Sequence, residues 1–166
     1  DSVKVDEYKP KVIDFSQFNY SDFINKLNLF DIIVTQPLLT GKLVYGDEKN
    51  FNKLKNNFMN QDITSETLDY LNKKSRWCFD YAINCFNQKW TNNLELTLNN
   101  LAYAISYNKF MDRYKNGAKI VRFSDVDDEL LLRLRSYQKL GEKKEAILNK
   151  DKINEFIKEV KLKFDY

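Results

Sequence analysis

The sequence contains no histidine. That absence excludes a Ser-His-Asp or Cys-His catalytic site, and any His-ligated metal, within these residues. Proline occurs only twice and glycine only four times, so few turns are punctuated and the composition suits long helices joined by short loops. No apolar run approaches the roughly 18 residues that span a bilayer, which argues against a membrane segment. The opening Asp1-Ser2-Val3-Lys4-Val5-Asp6 carries no signal-peptide pattern. Charge of one sign is also scarce: 27 basic against 24 acidic residues leave a net +3, too balanced to argue for nucleic acid by itself. The only cysteines, Cys78 and Cys85, lie about two helical turns apart, roughly 10 Å by helical rise and too far for a disulfide. They read as reduced core residues of a cytoplasmic protein.

What is present is apolar and aromatic material. Hydrophobic residues make up 43% of the 166, with 12 Phe and 10 Tyr, enough for a real core in one domain or in a small module joined to a bundle. The expected fold class is α+β, predominantly α. A short strand element is expected within residues 1–60 and a helical bundle over residues 61–166.

Lys11-Val12-Ile13-Asp14-Phe15 follows Pro10 and is β-branched and aromatic, so it reads as a strand, with Val3 to Tyr8 as its candidate partner. Asn19, Ser21 or Asp22 can cap a helix carrying Phe23, Ile24, Leu27 and Phe30 at helical spacing. Asp31-Ile32-Ile33-Val34 fits either a buried strand or a helix that Pro37 interrupts or kinks. Asp47 can cap a helix to about Met59. Thr64 is a good N-cap, with Ile63 and Leu68 placed as a hydrophobic staple. Leu68, Leu71, Ser75, Cys78, Ala82 and Cys85 then recur at three or four, predicting a helix to about Asn87. A central helix should begin near Asn92, with Leu94, Leu98, Leu101 and Ile105 in one stripe that Leu96, Tyr103, Tyr107 and Phe110 widen, and stop at Gly117. Ser124 is expected to cap an acidic-fronted helix that Gly141 ends or bends, and Asp151 to cap the last one.

Gly41-Lys42-Leu43-Val44-Tyr45-Gly46-Asp47-Glu48, preceded by the strand-like Val12-Ile13-Asp14-Phe15 and the helix from Tyr20, resembles the end of a minimal nucleotidyltransferase domain of the polymerase-β superfamily. Such domains often continue into a four- or five-helix bundle of HEPN type, and the order after Gln61 is similar. The resemblance implies that Asp14 matches the third family carboxylate, the base that activates the incoming hydroxyl. The family's Gly-Ser pair and Asp-x-Asp, whose carboxylates hold two Mg²⁺ ions, are absent. Catalysis, and with it Mg²⁺, is therefore expected only if residues upstream of Asp1 supply those motifs. The alternative is that Val3 to Phe15 packs directly on the helices and the resemblance fails. HEPN ribonucleases also need a histidine, so the bundle cannot carry that site.

Two basic clusters are candidate nucleic-acid contacts. Lys73, Lys74, Arg76 and Trp77 interleave charge with an aromatic, which suits phosphates and stacked bases. Arg113, Lys115, Lys119 and Arg122 surround the Gly117 turn. Asp125-Val126-Asp127-Asp128-Glu129 lacks EF-hand spacing and reads as helix-start electrostatics. The expected activity is that of a catalytically incomplete nucleotidyltransferase relative acting through nucleic acid, a nucleotide or a protein partner, homodimer included. The alternative is a non-enzymatic helical interaction module of viral or plasmid type.

Overall fold

The computed structural model describes residues 18–43, 46–88, 90–126, 128–143 and 150–166. Among the described residues there are seven α-helices and no strand: α1 (Tyr20–Asn28), α2 (Ile32–Thr40), α3 (Glu48–Met59), α4 (Ser65–Asn87), α5 (Trp90–Lys115), α6 (Glu129–Lys143) and α7 (Lys150–Phe164). The predominantly helical reading holds. The strands expected at Val3–Tyr8 and Lys11–Phe15 lie outside the described residues, as does Asp14.

The frame is the antiparallel pair α4 and α5. Ser75 Oγ donates to the Ala104 carbonyl at 2.7 Å, and the Tyr70 and Tyr107 hydroxyls both donate to the carboxylate of Asp31, so the two helices run in opposite directions across these pairs. The expected α4 stripe faces the interior: Leu71, Ser75, Cys78, Ala82 and Cys85 are buried and Leu68 is half-buried. Leu98, Leu101 and Ile105 of α5 face them, while α6 and α7 pack on α5 through Leu130, Leu134, Ile153, Phe156 and Val160. Each fully buried Leu, Ile or Phe contributes about 1.5–3 kcal/mol of transfer free energy against the entropy of ordering. Leu27, Phe30 and Phe58 belong to the same core, so α1 to α3 pack into it rather than standing apart.

Several boundaries differ from the sequence reading, each for a local reason. Ile32–Val34 is helix, because the Asp31 side chain accepts from the Ile33 N–H at 3.0 Å as an N-cap. Pro37 lies inside that helix without ending it; the carbonyl it deprives belongs to Ile33, an exposed residue where water can substitute. The start of α5 is Trp90, two residues before the expected Asn92. Leu96 and Tyr103 are half exposed rather than part of the buried stripe. Ser124 caps no α-helix; it sits in a 3-10 turn, Phe123–Asp125. The N-cap of α6 is instead Asp128, whose Oδ1 accepts from the Leu130 N–H at 2.8 Å. The helix runs through Gly141 to Lys143, and Asp151 lies in the first turn of α7 rather than before it. Gly117 does stop α5. Its φ of +87° permits the paired terminal bonds Gly117 N–H to Tyr114 and Ala118 N–H to Arg113, both at 3.0 Å.

The acidic run before α6 does more than complement a dipole. Asp128 Oδ2 takes Lys109 of α5 at 2.7 Å and Lys163 of α7 at 3.1 Å, tying three helices together. Burial alone would raise its carboxyl; the Lys109, Leu130 N–H and Lys163 contacts outweigh that and hold it below the ordinary range.

The junction of α1 and α2 is the most demanding point. Phe30 adopts φ +57°, a left-handed conformation usually left to Gly, at the position after the α1 C-cap. The terminal bonds Phe30 N–H to Leu27 (3.0 Å) and Asp31 N–H to Lys26 (2.9 Å) require that conformation. Its cost, roughly 1–3 kcal/mol, is offset because the ring is fully buried against Phe58 (centroids 4.9 Å) and Tyr114 (5.4 Å). The next residue, Asp31, has no exposed surface. Oδ1 accepts from the Ile33 N–H at 3.0 Å and the Tyr107 hydroxyl at 2.6 Å; Oδ2 accepts from the Tyr70 hydroxyl and from Lys26 Nζ at 3.4 Å. Burial alone would raise this carboxyl, but the donors from Tyr107, Tyr70 and Ile33, with the Lys26 charge, hold it below the ordinary carboxylate range. The same contacts and burial push both tyrosines upward.

A folded-state pKa below the unfolded value stabilises the fold above the unfolded pKa, and that stability disappears as pH falls through the folded one. Asp31→Ala should lose about 3–5 kcal/mol by urea unfolding at pH 7. The loss should shrink as pH is lowered below the unfolded carboxylate value of about 4 and through the lower folded one, because the wild-type carboxylate is then itself protonated. A pH-independent difference would contradict the ionised assignment.

Candidate nucleic-acid interface

The first basic cluster lies on one exposed face of α4, because positions 70, 73, 74, 77 and 81 recur at three and four. Trp77 is 57% exposed and Tyr81 40%, and their rings are stacked at 5.4 Å and 11°. Lys74 Nζ lies 5.5 Å from the Trp77 ring and 5.7 Å from the Tyr70 ring. Its cation therefore bridges the exposed aromatic pair and the tyrosine that holds Asp31. Lys73 pairs with Asp69 at 2.6 Å across one turn, an exposed contact that contributes little and can be exchanged for a phosphate. Arg76 points to the chain end, donating to the Asp165 carbonyl at 3.3 Å. Tyr81 was not among the expected site residues. The signal for it was spacing: it lies four residues after Trp77 on a helix already recognised.

The second cluster is also exposed but is placed elsewhere. Arg113 and Lys115 occupy the last turn of α5, where cations complement the helix dipole, and Lys119 and Arg122 lie in the link beyond Gly117. Since α4 and α5 are antiparallel, that turn is level with the start of α4. Trp77 lies 12 residues further along, about 18 Å by helical rise. The structure does not bring the two clusters into one patch.

The neighbouring thiol offers no chemistry. Burial, chiefly, pushes Cys78 up to about 11, with Lys74 opposing and Asp31 adding to the rise, so it carries no useful thiolate fraction near neutrality. Among the described residues no three Cys, Asp or Glu side chains gather as a metal-holding group, and no helix is long and apolar enough to cross a membrane.

Two of the surface concavities lie along α1 to α3. The depression along Asp47–Asn57 is walled by α3 and its cap alone and encloses nothing. The other is an apolar groove of about 610 Å³ between α1, α2 and α3, lined among others by Phe18, Phe23, Ile33, Pro37, Leu38 and Leu54. No family model, no curated protein and no solved structure matches the chain.

Proposed function

We propose that this protein is a non-catalytic helical module that binds single-stranded nucleic acid through the outer face of α4. The observation that carries the reading is the exposed Trp77–Tyr81 stack with Lys74 over the Trp77 ring. An unpaired base can extend such a stack, whereas a base inside a duplex presents no free face. Lys73 and Lys74 then meet the backbone phosphates, and Arg76 can join them by releasing a single carbonyl. In this reading the protein works in the cytoplasm, in keeping with two buried, unpaired cysteines.

Binding of a fluorescently labelled oligo(A) or oligo(U) strand tests it. Trp77→Ala should weaken binding about fivefold or more, from the 1–3 kcal/mol of one lost stack. Being exposed, the same change should alter folding stability by no more than about 0.5 kcal/mol. Lys74→Ala should reduce the salt dependence by about one phosphate contact. Equal competition by a duplex would overturn the stacking reading. A salt-insensitive complex would point to a protein partner or homodimer instead.

A second reading keeps the nucleotidyltransferase relationship. It is supported by Gly46, whose φ of +123° suits glycine, and by Asp47, which caps α3 by accepting from Lys49 and Asn50 at 2.9 and 3.2 Å. The Gly41–Glu48 phrase thus ends in the turn and helix start that the resemblance implies. With Mg²⁺ and labelled nucleoside triphosphates, any transfer should be abolished by Asp14→Ala; transfer that survives it would remove Asp14 from the reaction.

A further inference from the structure

A small pocket between α5 and α6 takes none of its lining from α4, so it is separate from the exposed aromatic face. Its shape follows from residue size. Ala102 and Ser106 lie four apart on α5 and are small, so together they leave a gap of about 260 Å³ that α6 does not fill. Leu131 and Leu134, three apart on α6, are both buried and give the gap an apolar floor. Tyr103 and Phe123 line it as well, yet are 39% and 40% exposed. Phe123 is fixed in place: its N–H donates to Gln36 Oε1 at 3.0 Å, and its ring meets Phe110 edge-on at 5.6 Å. This aromatic wall therefore costs little to order when a ligand arrives.

The polar members of the lining define the charge of the ligand. Arg135 is exposed and makes no ion pair or hydrogen bond among the described residues. Arg133 on the same helix is, by contrast, spent on Glu159 at 2.6 Å. Among the described residues no acidic side chain lines the pocket, so the lining leaves the Arg135 charge uncompensated. The Ser106 hydroxyl adds a second donor, also without a hydrogen bond among the described residues. A guanidinium takes a carboxylate in two parallel hydrogen bonds. Aromatic walls over a leucine floor suit a flat apolar ring. Size then chooses among anions. At about 30 Å³ for each water-sized group, the pocket holds about nine heavy atoms, which is one ring with one carboxylate. A nucleotide, with base, sugar and phosphate, is more than twice as large.

We infer that this pocket binds a small aromatic carboxylate, with the ring between Tyr103 and Phe123, the carboxylate on Arg135 and the Ser106 hydroxyl as second donor. The site shares no residue with the α4 face or with the Gly41–Glu48 phrase, so it stands or falls apart from both readings of function.

The test is a nuclear magnetic resonance titration of the isotope-labelled full chain with phenylacetate. Saturable shifts should appear at the Ser106, Phe123 and Arg135 amides and at the Arg135 Nε–H, while the α7 amides stay in place. Arg135→Ala should weaken binding about tenfold or more. Arg135→Lys, which keeps the charge without the fork, should recover part of that loss. Arg135 is exposed, so neither change should unfold the chain. Neutral phenylacetamide should bind about tenfold more weakly than phenylacetate, and acetate should give no saturable shift over the same range. Trp77→Ala should leave the phenylacetate titration unchanged. The absence of saturable shifts, undiminished binding by Arg135→Ala, or equal binding of acetate or phenylacetamide would each overturn the proposal. Adenosine monophosphate binding the same amides more tightly than phenylacetate would overturn it in favour of a nucleotide, and loss of binding in Trp77→Ala would overturn a separate site.

Discussion

The buried carboxylate of Asp31 is the constraint that the rest of the structure answers to. One residue ends α1 with its N–H, starts α2 with its side chain, and receives a hydroxyl from each helix of the central pair. An isolated carboxylate without water would cost several kcal/mol, so these donors are conditions for the fold rather than additions to it. The left-handed Phe30 beside it is held by the ring contacts with Phe58 and Tyr114, so α3 and α5 also depend on this junction. Other polar side chains extend the pattern. Gln36 of α2 donates to the Val121 carbonyl at 2.9 Å and accepts from the Phe123 N–H at 3.0 Å, fixing the link between α5 and α6. One turn further along the pair, the Tyr166 hydroxyl donates to the Ala104 carbonyl at 3.0 Å and its ring stacks on Phe79 at 4.4 Å. Interior polar groups thus set which helices meet, while the apolar stripes supply most of the burial.

The stripes were legible in the sequence because periodicity is a local property. The α4 positions from Leu71 to Cys85, the α5 run from Leu98 to Ile105 and the α7 set from Ile153 to Val160 are buried where their spacing puts them. Caps were legible where the helix start was sharp, as at Thr64 and Asp47. They failed where two capping residues competed. Ser124 and Asp128 both suit an N-cap, and the choice was made by Lys109 and Lys163, which lie far away in the sequence. Asp31 was hidden for the same reason. Beside three β-branched residues and ahead of a proline it looks ambiguous, and its hydroxyl partners are 39 and 76 residues distant.

The candidate interface divides along the same line. Lys73, Lys74, Arg76 and Trp77 could be read together because one helix carries them. What each does depends on its partners: Lys74 rests on aromatic faces, Arg76 holds the Asp165 carbonyl, and the Gly117 cluster lies a helix half-length away. Lys74 also packs on Tyr70, which reaches Asp31, so the exposed aromatic face is joined to the buried junction through a single side chain.

Asp31 binds the helices as one unit through both hydroxyls. A double-mutant cycle of Tyr70→Phe and Tyr107→Phe, read by urea unfolding at pH 7, measures it most directly. Each single change should cost about 1.5–3 kcal/mol, and the two should couple by more than about 0.5 kcal/mol, because the carboxylate left with one hydroxyl leans harder on it. Additive losses, or single losses below about 0.5 kcal/mol, would contradict it.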